Sequence, residues 1–178
     1  MPIVKHIKPW SGHAVRHLPD VPDIDVYDFS MCGKSDENRW NVSGEPTLYL
    51  AKDKSVALAE FARHFKENRT PGLAGKTLPR KVHGLKVKLK HVLDLRDPKA
   101  CRELSLVKAP ECFLEKSVAR ATAHFIRNTT PAEGLLVPSI AFLDDLKKWC
   151  LVLFLEKLPK DRRKFLIGAK VEGTFKIG

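Results

Sequence analysis

Residues 47–51, Thr-Leu-Tyr-Leu-Ala, form an apolar and aromatic run entered through Gly44 and Pro46, and they predict a buried strand. Lys52-Asp53-Lys54-Ser55 then reads as a polar turn, with Ser55 placed to cap a helix from Val56 to about Lys66. Val56, Ala59 and Ala62 give that helix a small, apolar face, and Phe61 and Phe65 repeat four residues apart. Before it, the segment to Phe29 is rich in Pro and His, and only residues 14–18 predict a short strand. After it, residues 67–79, with Pro71-Gly72, Gly75 and Pro79, predict a lid-like loop. Residues 82–90 alternate apolar and basic positions, as a half-exposed strand does, and continue into Val92-Leu93-Asp94-Leu95. Asp97-Pro98 opens a short helix to about residue 106. Phe113, Leu114, Val118, Ala121 and Phe125 follow helical spacing over 113–127, and Thr129-Thr130-Pro131 ends that helix. Strands follow at 134–138 and 149–155, and a weaker one near 170–175. The pattern predicts a single α+β domain over residues 1–178, a mixed and mostly antiparallel sheet with packed helices. Its motif-bearing part is about 14–156, and 157–178 is a basic tail.

One position breaks the apolar face of the first helix. Glu60 lies at i+4 from Val56 and i+3 from Ala57, where a carboxylate is costly without a partner or a task. Spacing alone leaves two readings open, a surface carboxylate beside a lysine and a site residue.

Composition narrows the classes. A hydrophobic fraction of 43% excludes a disordered chain. The longest apolar runs fall far short of the roughly 20 residues that span a bilayer. The opening residues carry no apolar signal region, so the expected location is the cytoplasm. Four cysteines without CxxC spacing predict reduced thiols and no zinc site. The net charge of +11 suits an anionic substrate, an acidic partner or nucleic acid. Its basic residues are scattered and not interleaved with aromatics, so charge alone supports nothing more specific than a non-enzymatic basic module that binds nucleic acid.

Asn38-Arg39-Trp40-Asn41, then Leu48-Tyr49-Leu50-Ala51, then Ala57-Leu58-Ala59-Glu60 resemble the opening of the RES-domain family, called after an Arg, a Glu and a Ser. Residues 92–95 resemble its middle strand, Gly134-Leu135-Leu136-Val137-Pro138-Ser139 the segment that supplies the Ser, and 151–154 the strand after it. The match runs in order from about Arg16 to Phe154. Two positions depart from the family pattern: Asn38 stands where Gly usually precedes the Arg, and Trp149-Cys150 where Arg-Asn often precedes the last strand.

The resemblance implies an ADP-ribosyltransferase-like fold and a reaction on NAD as substrate, with no further cofactor and no metal. It implies an NAD-degrading toxin, a glycohydrolase or phosphorylase, restrained by an antitoxin; self-association is another restraint. Transfer of ADP-ribose to a protein or nucleic acid is the alternative. Carried over, Glu60, Arg39 and Ser139 are the catalytic candidates, and Arg16, Arg39, Tyr49 and Ser139 the substrate-binding ones. The chemistry suits them. A carboxylate stabilises the oxocarbenium-like charge that grows as nicotinamide leaves. An Arg fork clamps a pyrophosphate as Lys cannot. A Tyr offers a flat face to the nicotinamide ring and a hydroxyl for a polar contact. Each has a plain structural alternative: Arg39 covering Trp40, Tyr49 in the core, Ser139 in a turn.

Overall fold

Along β2 (Thr47–Ala51), Leu48 and Leu50 join one apolar cluster while Tyr49 and Ala51 pack on the other side of the strand. This period-2 sorting organises the molecule. The computed structural model describes residues 1–68 and 75–177. Residues 69–74 of the expected lid-like loop lie outside the described residues.

β2 pairs antiparallel with β1 (Ile7–Pro19) and with β5 (Trp149–Phe154). β5 pairs antiparallel with β4 (Gly134–Pro138), and β4 runs parallel to the end of β3 (Arg80–Asp94). β3 returns to β1, pairing from Leu93 opposite Ile7 to Arg80 opposite Pro19, so the sheet closes on itself. β6 (Leu166–Phe175) adds to β3. The α+β expectation of a mixed, mostly antiparallel sheet holds, and β3–β4 is the parallel pair.

Leu50, Leu85, Val87, Leu136, Leu151 and Leu153 form the cluster of one strand parity. The other parity packs Leu93, Leu135, Val152 and Phe154 under α3 (Lys116–Thr129) through Ala119, Ala123 and Ile126. α1 (Lys54–Asn68) sets Val56 and Ala57 on Val15, Ala51, Val82 and Phe175. α2 (Pro98–Glu103) is capped by Asp97, which accepts from the Lys99 N–H. No helix among the described residues is long and apolar enough to cross a membrane.

Four local features differ from the pattern reading. The cap of α1 is Asp53, whose Oδ1 accepts from Val56 N–H at 3.0 Å; Ser55 instead donates to that carboxylate. β1 extends far beyond 14–18, because the fifteen residues of β3 give it a partner along its length despite Pro9 and Gly12. Residues 111–114 are a separate 3₁₀ turn, since Glu115 is extended (φ −77°, ψ 112°) and α3 starts after it. Within the segment read as a basic tail, the weak strand expected near 170–175 begins earlier, at Leu166, and joins the sheet, with Phe165, Leu166 and Phe175 buried.

Candidate active site

Where the sheet meets α1 there is a cavity of about 340 Å³, within the range of small-molecule sites. Strand parity selects most of the strand residues that reach it, Leu50 and Pro138 being exceptions. Val15 and His17 of β1, Tyr49 and Ala51 of β2, Val137 of β4 and Cys150 of β5 all line it, and α1 contributes Glu60, Arg63, His64 and Glu67.

Glu60 comes off the half-buried face of α1 opposite the end of β4. Its Oε1 accepts from the Ser139 hydroxyl, and from the Ala141 N–H at 3.1 Å. Ser139 is fully buried and follows directly on β4, so the strand fixes its position. The Glu60 carboxylate is thus an oriented anion in a wall of the cavity, neither a surface charge nor a buried orphan.

Arg39 stands in a turn held down by α3: Lys116 Nζ donates to Glu37 O at 3.0 Å and Arg120 Nε to Asn38 O at 2.9 Å. The next residue, Trp40, packs its ring on Phe113 with centroids 4.9 Å apart. The Arg39 guanidinium donates to Phe113 O at 3.0 Å and Leu114 O at 2.6 Å, and to Glu67 Oε2 at 3.2 Å. Its pKa is lowered by burial, against which Glu67 and Glu60 act.

The ring of Tyr49 lines the cavity, but its hydroxyl is taken by the same turn. It donates to Asn41 Oδ1 at 2.7 Å and accepts from Trp40 N–H at 3.0 Å. Burial pushes its pKa up, so it stays a neutral phenol. Tyr49 thus lines the cavity while its polar end braces Arg39's neighbour.

Arg16 is not brought to the cavity. It follows Val15 on β1 and so faces the opposite side, where it donates to Val26 O and, at 2.8 Å, to Asp28 O, with its guanidinium 4.8 Å from the Phe29 ring centroid. It ties residues 26–29 to the sheet. Of the departures from the family pattern, Asn38 lines the cavity in the turn before Arg39, and the Trp149-Cys150 pair divides between two sides of β5. Cys150 lines the cavity, and burial and then Glu60 hold its thiol well above the ordinary range, so it is a neutral wall. Trp149 packs edge-on against Trp10, 5.5 Å away.

His17, Arg63 and Glu67 were not among the candidates. His17 is pushed down to about 3 by burial, and further by Arg80 and Arg16. Arg80 Nε donates to its Nδ1 at 3.1 Å, which places the proton of the neutral ring on Nε2. Its position two residues after Val15 on a strand is the signal that marks it. Arg63 and Glu67 pair at 2.7 Å and sit at i+3 and i+7 from Glu60, the same helical face.

A family model described as the RES domain matches residues 17–172. No curated protein matches the chain. Among solved structures, a chain of the M. tuberculosis MbcT–MbcA toxin–antitoxin complex is similar, at a TM-score of 0.65 and 17% identity. The likeness covers 98% of this chain and 91% of that one, and at this identity it speaks for the fold.

Proposed function

Because the chain belongs to the RES-domain family, we propose that it cleaves the nicotinamide–ribose bond of NAD and acts as a toxin held in check by an antitoxin. The observation that carries the reading is the oriented Glu60 carboxylate, fixed by Ser139 and Ala141 N–H in a cavity that also holds Arg39 and the Tyr49 ring. Nicotinamide lies on the face of Tyr49, and Arg39 meets the pyrophosphate. The C1′–N bond breaks, its electron pair goes to the ring nitrogen, and nicotinamide leaves neutral. Positive charge grows on the ribose, and Glu60 stabilises it because its anion is already oriented. Water then adds to C1′ and loses a proton, giving ADP-ribose; phosphate in place of water gives the phosphorolysis product. Ser139 is the positioning residue for Glu60, since its hydroxyl is committed to the carboxylate.

Restraint follows from the chemistry, because an enzyme that consumes NAD harms the cell that makes it. The similarity to a chain of a toxin–antitoxin complex supports a protein partner. The net charge of +11 favours one that presents an acidic segment. The test is incubation of pure, folded protein with NAD while nicotinamide release is followed. Release that disappears in Glu60→Gln supports the reading, and an intact NAD pool at high protein concentration overturns it. NAD labelled in its ADP-ribose part separates the products: label on a macromolecule assigns ADP-ribosyl transfer instead of hydrolysis. In cells, expression without a partner is expected to stop growth, and Glu60→Gln to relieve the arrest. Equal toxicity of both would assign the harm to the basic surface.

A further inference from the structure

Two arginines grip one carboxylate at the mouth of the candidate site. Glu67 Oε2 accepts from the Arg39 guanidinium at 3.2 Å, and Glu67 Oε1 lies 2.7 Å from Arg63 Nε. Arg39 is the more buried of the two, with a side chain 12% exposed against 34% for Arg63. Arg63 disfavours the charge of Arg39, and Glu67 offsets this. All three side chains line the cavity that holds Glu60. The arrangement has the chemistry of an anion site, two guanidinium groups converging on a pair of oxygens, one through a hydrogen bond from Arg39 Nη2 and one through the close ion pair with Arg63, already filled by an anion of the chain itself.

We propose that Arg39 and Arg63 form a diphosphate subsite, that Glu67 occupies it in the free protein, and that a substrate diphosphate enters by displacing Glu67. The proposal rests on the NAD reading for the identity of the substrate, and on geometry alone for the subsite. Three points lead to it. A carboxylate presents two oxygens to two guanidinium groups, as a phosphoryl group does, so Glu67 occupies the place of one. Glu67 lies in the last turn of α1, seven residues beyond Glu60 on the same face, so the substrate end that reaches it is distant from the bond broken beside Glu60. Arg39 remains anchored to Phe113 O and Leu114 O through Nη1 while its Nη2 faces Glu67, so the fork keeps its position when the anion is exchanged.

Displacement has a binding consequence. The free-energy cost of breaking two charge-assisted contacts is subtracted from every diphosphate that binds, so Glu67 weakens the affinity of the site. It also supplies selection, because a ligand with a single negative charge exchanges one carboxylate for another and gains nothing, whereas a diphosphate brings more charge to two arginines.

The experiment uses the full chain and inorganic pyrophosphate and ADP as probes, with calorimetric titration at fixed salt. Glu67→Gln, which removes the internal anion and keeps the shape, is expected to bind both probes about tenfold more tightly than wild type. Arg63→Gln in the Glu67→Gln background is expected to lose that gain. Glu67→Asp retains the charge on a shorter arm and is expected to fall between wild type and Glu67→Gln, which guards against a folding artefact in any one variant. Equal or weaker pyrophosphate binding by Glu67→Gln, with an unchanged melting temperature, overturns the proposal and makes Glu67 a structural brace. Failure of the NAD reading is seen separately: the affinity gain with no nicotinamide release keeps the subsite and removes the substrate.

Discussion

Arg16 and Arg39 both donate to a pair of backbone carbonyls, yet they do different work. Arg16 has Val26 O and Asp28 O as partners and Phe29 beneath it, so its surroundings are closed. Arg39 has Phe113 O and Leu114 O on one nitrogen, and on the other a carboxylate that exchange could replace. One arginine fastens a loop, and the other holds a loop and faces a cavity. Arg16 is kept from a ligand by its place, on the face of β1 away from the cavity, whereas Arg39 lines the cavity and has a side chain as its outer partner. Sequence resemblance put both in one site, and strand parity separates them.

The largest effect expected on the cavity side belongs to Glu60. Glu60→Gln keeps a group that can accept from Ser139 and Ala141 but removes the charge, so nicotinamide release should fall by roughly 10²–10³-fold while the melting temperature changes little. NAD binding should survive better than turnover. A parallel loss of both would assign Glu60 to ground-state binding.

The opposite side should respond in stability. Arg16→Ala leaves Val26 O and Asp28 O without their donor and uncovers Phe29, an expected loss of about 2–3 kcal/mol. For a chain of this length that lowers the melting temperature by roughly 5–10 °C. The folded fraction should keep the wild-type affinity for NAD. An affinity loss without a stability loss would move Arg16 back into the site and break the comparison.

Arg39→Lys probes the cavity side more gently. The point charge replaces a fork, so NAD affinity should drop about tenfold, near 1.4 kcal/mol, although the charge is retained. Affinity equal to wild type would show Arg39 to be a fastener like Arg16.

The fold class and the central strands were legible because alternation over 82–90 and the apolar runs at 47–51, 134–138 and 149–155 depend on local pattern. The length of β1 was not, since Pro9, Gly12 and two histidines argue locally against a strand and its partner β3 lies some seventy residues away. The break before α3 was hidden because Phe113 and Leu114 keep helical spacing while Glu115 turns extended. In the candidate site, Glu60 announced itself as a charge on an apolar face. Ser139 was marked by the family resemblance and by no local pattern; its pairing with Glu60 across seventy-nine positions gives it a task. Arg63 and Glu67 were within reach of the same helical count that singled out Glu60.

The effect that is absent at neutral pH tests strand parity directly, at the residue after Arg16. His17 faces the cavity with Arg80 on its Nδ1, and burial pushes its imidazole down to about 3. The unfolded chain takes up this proton near the ordinary value of about 6.5, so below that pH the unfolded state binds more protons than the folded one. Stability tied to the neutral ring is therefore complete above about pH 6.5 and is lost as pH falls from there toward 3, with a slope approaching 1.4 kcal/mol per pH unit, about the value for one proton. Carboxylates add their own acid dependence, and a comparison with His17→Gln removes it. Gln can accept from Arg80 but does not titrate. Urea unfolding of both proteins at pH 7, 6, 5 and 4 should give a stability difference that is level at the top of the range and shifts steadily in favour of His17→Gln below it. A difference that stays constant to pH 4 would mean that His17 reaches solvent or a charged partner in the folded state. The cavity would then lack its neutral Nε2 donor, and the clean division of β1 into a fastening side and a site side would fail at this position.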